Sequence, residues 1–210
     1  MSDAGEAPAK KGGKKKLIMI AGAIVLLGGG GAAGGFYVAG SLNHGKAGPM
    51  EDPNKPQLVL KGENPEEIGA KWEAKAKEAE SAGEHFSEPG HGKGMDLPRP
   101  SNMTGYQATY FQIPAPFTSN MSDSEAFAQI SVAVSTYYDN RVIQAVQTHE
   151  LPIRSAILMM LAQEQEIDLS TPQGKERLQG KMLKIVNDTL KSKTGYGGID
   201  NVYFTNFVIQ

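Results

Sequence analysis

Cysteine is absent from all 210 residues, tryptophan occurs once and histidine four times. Without thiols the chain has no disulfide staple, no thiolate nucleophile, no Cys-ligated metal and no lipid carried on sulfur. Net charge is nearly absent as well: 21 basic against 23 acidic side chains give −2. Such a balance selects neither nucleic acid nor an acidic substrate. No Walker sequence, no Gly-x-Gly-x-x-Gly after a strand and no Gly-x-Ser-x-Gly elbow occurs.

What charge there is falls in three blocks. Residues 1–16 hold five lysines and two acids, residues 41–105 eight bases and eleven acids, and residues 106–210 eight and ten. Only the first block is basic, and an apolar run follows it directly. Leu17 to Gly40 is 24 residues without a charge or a proline, eight of them glycine. As a helix, about 20 such residues cross a bilayer core. Glycine is a poor helix former in water, but unpaired backbone in lipid costs more than that penalty. Lys10, Lys11, Lys14, Lys15 and Lys16 on the near side orient the run with its N-terminus in the cytoplasm and residues 41–210 across the membrane. The competing reading is a cleaved signal peptide with Leu17–Leu27 as its apolar region and a cut near Ala39, but the run exceeds the usual ~7–15 residues. Gly30 with Gly34, and Gly31 with Gly35, stand at the small-xxx-small spacing that lets two helices approach in lipid.

Residues 41–105 read as a connector rich in Gly, Pro, Asn, Glu and Lys. Within it, Asn64-Pro65-Glu66-Glu67 predicts a helix start, with a cap, a proline at the first position and acids in the first turn. Its apolar residues are few, so a solvated spacer helix ending near Gly83 is expected. Leu58-Val59-Leu60 is an apolar patch with no firm assignment. His85 and His91 beside Glu84 and Glu88 match no tetrahedral metal spacing.

From Tyr106 to Gln210 the pattern predicts a packed α+β domain with a small mixed sheet covered by helices. Tyr106–Ile113 is rich in strand formers, ended by Pro114 and Pro116. In Ala126–Tyr138, Ile130, Val132, Val134 and Tyr138 share one face while Ser131, Ala133 and Ser135 share the other. Helices follow: one over 139–148 with Val142, Ile143 and Val146 inward, and one restarting at Leu151-Pro152. A third opens at a Ser170-x-x-Gln173 capping box and buries Leu178, Met182, Ile185, Val186 and Thr189. Gly195-Tyr196-Gly197-Gly198 turns the chain into Val202–Ile209, whose apolar residues on both faces predict an interior strand.

No catalytic, cofactor or metal constellation emerges. His149, the domain's lone histidine, has no nucleophile or orienting partner at a recognisable spacing, and a loop residue or helix cap is its bland reading. Asp139, Glu164, Glu166 and Asp168 read as a solvated acidic face. No basic stripe suggests nucleic acid, and no small-molecule site is indicated. The chain reads as a non-enzyme.

Three stretches in this order carry a resemblance: Leu151-Pro152-Ile153-Arg154, Thr171-Pro172-Gln173-Gly174-Lys175, and the ending Val202-Tyr203-Phe204-Thr205-Asn206-Phe207-Val208-Ile209-Gln210. With Ile113-Pro114-Ala115-Pro116-Phe117 and the lysine-rich start, the chain resembles the flagellar basal body-associated FliL family, with Pro152, Pro172, Gly174, Val202, Phe204 and Phe207 at the heart of the motifs. The resemblance implies four parts: a cytoplasmic tail (1–16), a transmembrane helix (17–40), a periplasmic connector (41–105) and a periplasmic domain of SPFH/stomatin-like fold (106–210). It implies an inner-membrane protein that forms a homo-oligomeric ring, stabilises the flagellar stator units near the MS ring, and supports torque, swimming or swarming and chemotaxis. It places self-association on the helix from Thr171 to Lys191 and the adjoining strands, although that helix's charges equally suit a solvated surface. The alternative is a generic SPFH/stomatin-like scaffold regulating another membrane complex.

Overall fold

The computed structural model describes residues 52–83 and 94–210. The lysine tail, the apolar run with Gly30, Gly31, Gly34 and Gly35, and the His85/His91 stretch lie outside the described residues. Among those described, no helix is long and apolar enough to cross a membrane.

The spine of the domain is strand β4, Phe127–Thr136. The elements around it, in chain order, are α1 (Pro65–Ser81), β1 (Met95–Asp96), β2 (Thr109–Gln112), β3 (Phe117–Asn120), α2 (Asn140–Thr148), α3 (Glu150–Leu161), α4 (Glu166–Leu169), α5 (Pro172–Thr194), β5 (Tyr196–Gly197) and β6 (Asn201–Ile209). The α+β class holds. The sheet, expected to be mixed, is antiparallel throughout: β2 and β3 both pair with β4, β2 along 133–136 and β3 along 127–130, while β6 also pairs with β4. The parallel component is a separate ladder of two residues, β1 with β5. Strand β3 escaped the sequence reading because it is four residues long and follows two prolines.

Alternation along β4 does what its sequence predicts. Ile130, Val132 and Val134 are fully buried beneath the helices, and small Ser131 and Ala133 stay half-exposed opposite them. Strand β6, however, is an edge and not an interior strand: β4 is its one strand neighbour among the described residues. A register shift explains why it looked two-faced. Ser131 pairs with Asn206 but Val132 with Phe204, so Thr205 is an extra residue in a β-bulge. The bulge turns Val202, Phe204, Phe207 and Ile209 to the helix side, and the Phe204 and Phe207 rings meet edge to face at 5.2 Å.

The helices cap as local chemistry dictates, with one correction. Asn64 accepts from Glu66 N–H with Pro65 at the first position. Asp139 caps α2 by accepting from Arg141 N–H at 3.1 Å. For α5 the cap is Thr171, whose hydroxyl accepts from Gly174 N–H at 3.0 Å, because Ser170 already ends the short helix α4. Helix α5 buries Gly174, Leu178, Met182, Val186 and Leu190. This strict four-residue spacing drifts about 40° per step at ~100° per residue, so the stripe rotates as the helix crosses the sheet. Leu190 is therefore buried, whereas Ile185 and Thr189, expected inside, are half-buried. Likewise in α2, Ala145 is buried and Ile143 half-buried.

The expected spacer helix is present, yet it is docked. Gly69 of α1 lies so close to α2 that a Cβ there would sit 2.0 Å from Asn140 Oδ1. Ahead of it, Val59 is fully buried. Residues 57–61 thread between two backbone stretches: Gln57 and Asp139 bond through their main chains, Val59 N–H donates to Tyr137 O at 3.0 Å, and Gln107 N–H donates to Val59 O at 2.9 Å. Asp52–Gln210 forms one compact unit.

Candidate functional site

The residues that carry the motifs converge on structural tasks. Arg154, on the first turns of α3, donates to the carbonyls of Pro114, Ala115 and Pro116 and pairs with Glu150 at 3.0 Å. Its guanidinium also lies over the Phe117 ring, 4.6 Å from the centroid. These contacts hold the link between β2 and β3, where Ala115 adopts φ 59°, a left-handed conformation costly for a residue with a side chain. Pro152 stands in the first turn of α3, where its missing N–H needs no helical partner. Pro172 opens α5 in the same way. Gly174 is required by contact: a Cβ there would come 1.8 Å from Asp168 O.

At the other end of the domain lies a buried charge cluster that the sequence did not disclose. Asp139, read as part of a solvated acidic face, is fully buried, and Arg141 is 8 % exposed. Arg141 binds both Asp139 oxygens, at 3.0 and 2.8 Å, and donates to Pro53 O and Lys55 O at 2.8 Å each. Asp139 also accepts from Gln57 N–H at 2.7 Å. An ion pair this deep is tolerated because both partners make further hydrogen bonds; here Pro53, Lys55 and Gln57 supply them. The Asp-x-Arg spacing was the signal, legible only once the chain segment that completes it is known. Glu164 corrects the same expectation: it is 8 % exposed and accepts from Lys181 Nζ at 2.5 Å.

Two cavities border this end. One, of about 190 Å³, is lined by Leu97, Arg99, Tyr138, Leu183, Asn187 and Asp200. Its polar groups already have partners: the Asn187 amide serves Gly198 and Ile199 main chain, Arg99 pairs with Asp200, and Tyr138 donates to Pro98 O at 2.5 Å. Burial pushes the Tyr138 hydroxyl up to about 12. The other, of about 520 Å³, is an open depression between the start of α1 and β2, with Asn64, Glu66, Tyr110 and Asn140 on its walls. Neither includes His149, which sits half-buried where α2 ends and α3 begins. Among the described residues, neither of these two cavities joins a nucleophile to a base.

Residues 110–210 match the family model described as "Flagellar basal body-associated protein FliL". These residues are similar to the FliL family. The flagellar protein FliL of Aquifex aeolicus (strain VF5) is 37 % identical over 102 residues, which are 48 % of this chain and 60 % of that protein. The FliL match begins inside β2, so it takes in the sheet, α2 to α5 and every motif residue, Pro152, Pro172, Gly174, Val202, Phe204 and Phe207 included. It leaves out α1 and residues 52–60, of which Pro53, Pro56 and Val59 are buried.

Proposed function

We propose that this chain is a non-enzymatic flagellar basal-body protein. In this reading residues 17–40 anchor it in the inner membrane with the lysine tail in the cytoplasm and the domain in the periplasm. The domain has the SPFH/stomatin-like role of its family, self-associates, and braces the stator units near the MS ring in support of torque, swimming or swarming, and chemotaxis. The single observation that carries the proposal is the FliL match over residues 110–210. The basic block before an uncharged run of 24 residues supports the anchor and its direction.

The test is motility of a strain whose chromosomal copy lacks residues 106–210, measured on soft agar and with tethered cells under viscous load. Reduced torque with normal growth is expected. Normal swarming would overturn the reading, and copurification with a membrane complex free of flagellar components would favour the generic scaffold.

A further inference from the structure

Strand β2 leaves one main-chain edge open. Ile113 N–H donates to Val132 O at 2.9 Å. In this antiparallel register Thr109, Phe111 and Ile113 turn their main-chain groups towards β4, and Tyr110 and Gln112 turn theirs away. Among the described residues no other strand takes up those groups. Tyr110 is 64 % exposed and Gln112 is exposed. The sheet already admits one added strand, since residues 58–60 insert between Tyr138 and Tyr106 and bridge both. Along the open edge runs the depression of about 520 Å³, walled by Thr109 and Tyr110, by Glu63 and Glu66 at the start of α1, and by Asn140 and Ile143 of α2. Two glutamates and no base line it. Helix α3 also exposes Leu151 (80 %) and Met159 (67 %), opposite its buried Ile153, Ile157 and Leu161, but nothing there selects an occupant. The β2 edge has both a main-chain pattern and a charge that do.

We propose that this depression is a docking groove for an extended, basic segment of another protein, which adds to β2 as an antiparallel strand. In such a pair one residue of the segment exchanges both main-chain bonds with Tyr110, and the residue two places on does the same with Gln112. The residue opposite Tyr110 shares that ring's face, where the Tyr203 ring already stands 5.9 Å away. Its neighbours turn to the side of Phe111, which packs on the core, and so towards Ile143 and the start of α1. A basic side chain there meets the exposed Glu66. Glu63 is held beside it by accepting from Leu60 N–H at 2.8 Å. An acidic segment would set like charges together in a half-enclosed site, whereas a basic one is drawn in. Asn140 suits the same occupant. Its Oδ1 is buried and bonds to nothing among the described residues, which marks a missing donor, and the soft terminal torsion of asparagine lets the amide turn to a peptide group. Main-chain bonds then supply the affinity, and the glutamates the choice of partner. Part of the wall, Glu63 to Glu66, lies outside the matched residues 110–210, so the family match does not supply this groove. Nothing in the pairing depends on the flagellar reading.

Two peptides test this, fluorescein-Val-Arg-Val-Arg-Val-amide and the same peptide with glutamate for arginine, titrated by fluorescence polarisation against the full-length protein in detergent. The arginine peptide is expected to bind at least about tenfold tighter than the glutamate peptide. Glu66→Lys, at an exposed position, is expected to weaken the arginine peptide by about tenfold. Gln112→Pro removes a main-chain donor that points away from β4, a place where an edge strand tolerates proline, and is expected to weaken binding severalfold. Gln112→Ala keeps that N–H while losing the same side-chain bond to Val132 O, and is expected to bind as wild type does. Should the proline also lower the thermal melt, Glu66→Lys decides. The assignment is overturned if the two peptides bind alike, if Glu66→Lys leaves the arginine peptide unaffected, or if Gln112→Pro, its melt unchanged, binds no worse than Gln112→Ala. Binding that appears only once Lys10, Lys11, Lys14, Lys15 and Lys16 are changed to glutamine would give the groove to the chain's own tail and overturn the assignment to a partner.

Discussion

Helices α3 and α5 pack on each other and on the same sheet, and each buries a stripe at four-residue spacing, yet they treat solvent in opposite ways. Outside its stripe, α5 carries acids and bases, several of them paired: Lys184 with Asp188, Lys191 with Asp188 at 2.9 Å, and Arg177 with Asp168 at 2.9 Å. Helix α3 offers leucine and methionine. The inner stripes show that both helices are needed to close the core. The outer sides show that only α5 was finished for water, which is why periodicity, a measure of what is buried, describes α5 well and leaves half of α3 unexplained.

The contrast can be broken most severely from inside α5. Leu178→Ala, at a fully buried position, should lower stability by about 2–5 kcal/mol in urea titration. A loss under 1 kcal/mol would mean that the stripe is not the core. Gly174→Ala should follow at about 1–3 kcal/mol by overpacking, since the new methyl meets Asp168 O at the join with α4. Thr171→Ala removes the cap of α5 and should cost about 1 kcal/mol, with Thr171→Ser restoring most of it. On α3, Leu151→Asp should change stability by no more than about 0.5 kcal/mol, although Leu151 and Leu178 are the same residue type on neighbouring helices. The smallest effect is electrostatic. Hydrogen bonds from Lys184 and Lys191 hold the Asp188 carboxyl below its usual 3.8. A depressed carboxylate stabilises the fold above its unfolded value and ceases to as pH falls through the lower, folded one. The melting temperatures of wild type and Asp188→Asn should therefore differ slightly at neutral pH and converge in acid below that range; a gap that widened in acid would contradict the pairing.

Signals confined to a few residues were legible in the sequence. Asn64-Pro65 and Gly195 each fix a helix end through adjacent groups, and the alternation along β4 needs nothing from elsewhere. Features made by distant residues were not legible. Thr205 becomes a bulge only through its pairing with β4, and without that shift Phe204 and Phe207 fall on opposite faces and suggest an interior strand. Phe204 is accordingly half-buried, and its truncation should cost less than the about 3–5 kcal/mol of a fully enclosed phenylalanine. Asp139 looked like one more surface acid because the groups that complete its pair with Arg141, namely Gln57 N–H for Asp139 and the Pro53 and Lys55 carbonyls for Arg141, lie more than eighty residues away. Of the motif stretches, the sequence showed which residues matter; that Arg154 braces a strained Pro-Ala-Pro link required the fold.

The docking of residues 53–59, with Pro53, Pro56 and Val59 buried, bears on where this protein can be cut. A fragment started at Tyr106, where the sequence pattern changes, would lack the stretch that fills the slot between Gln107 and Tyr137. It would expose two lengths of backbone edge ready to pair with any passing chain and strip Arg141 of two acceptors at once. Such a fragment should be sticky and poorly soluble for reasons unrelated to its partners. One started at Asp52 carries its own plug.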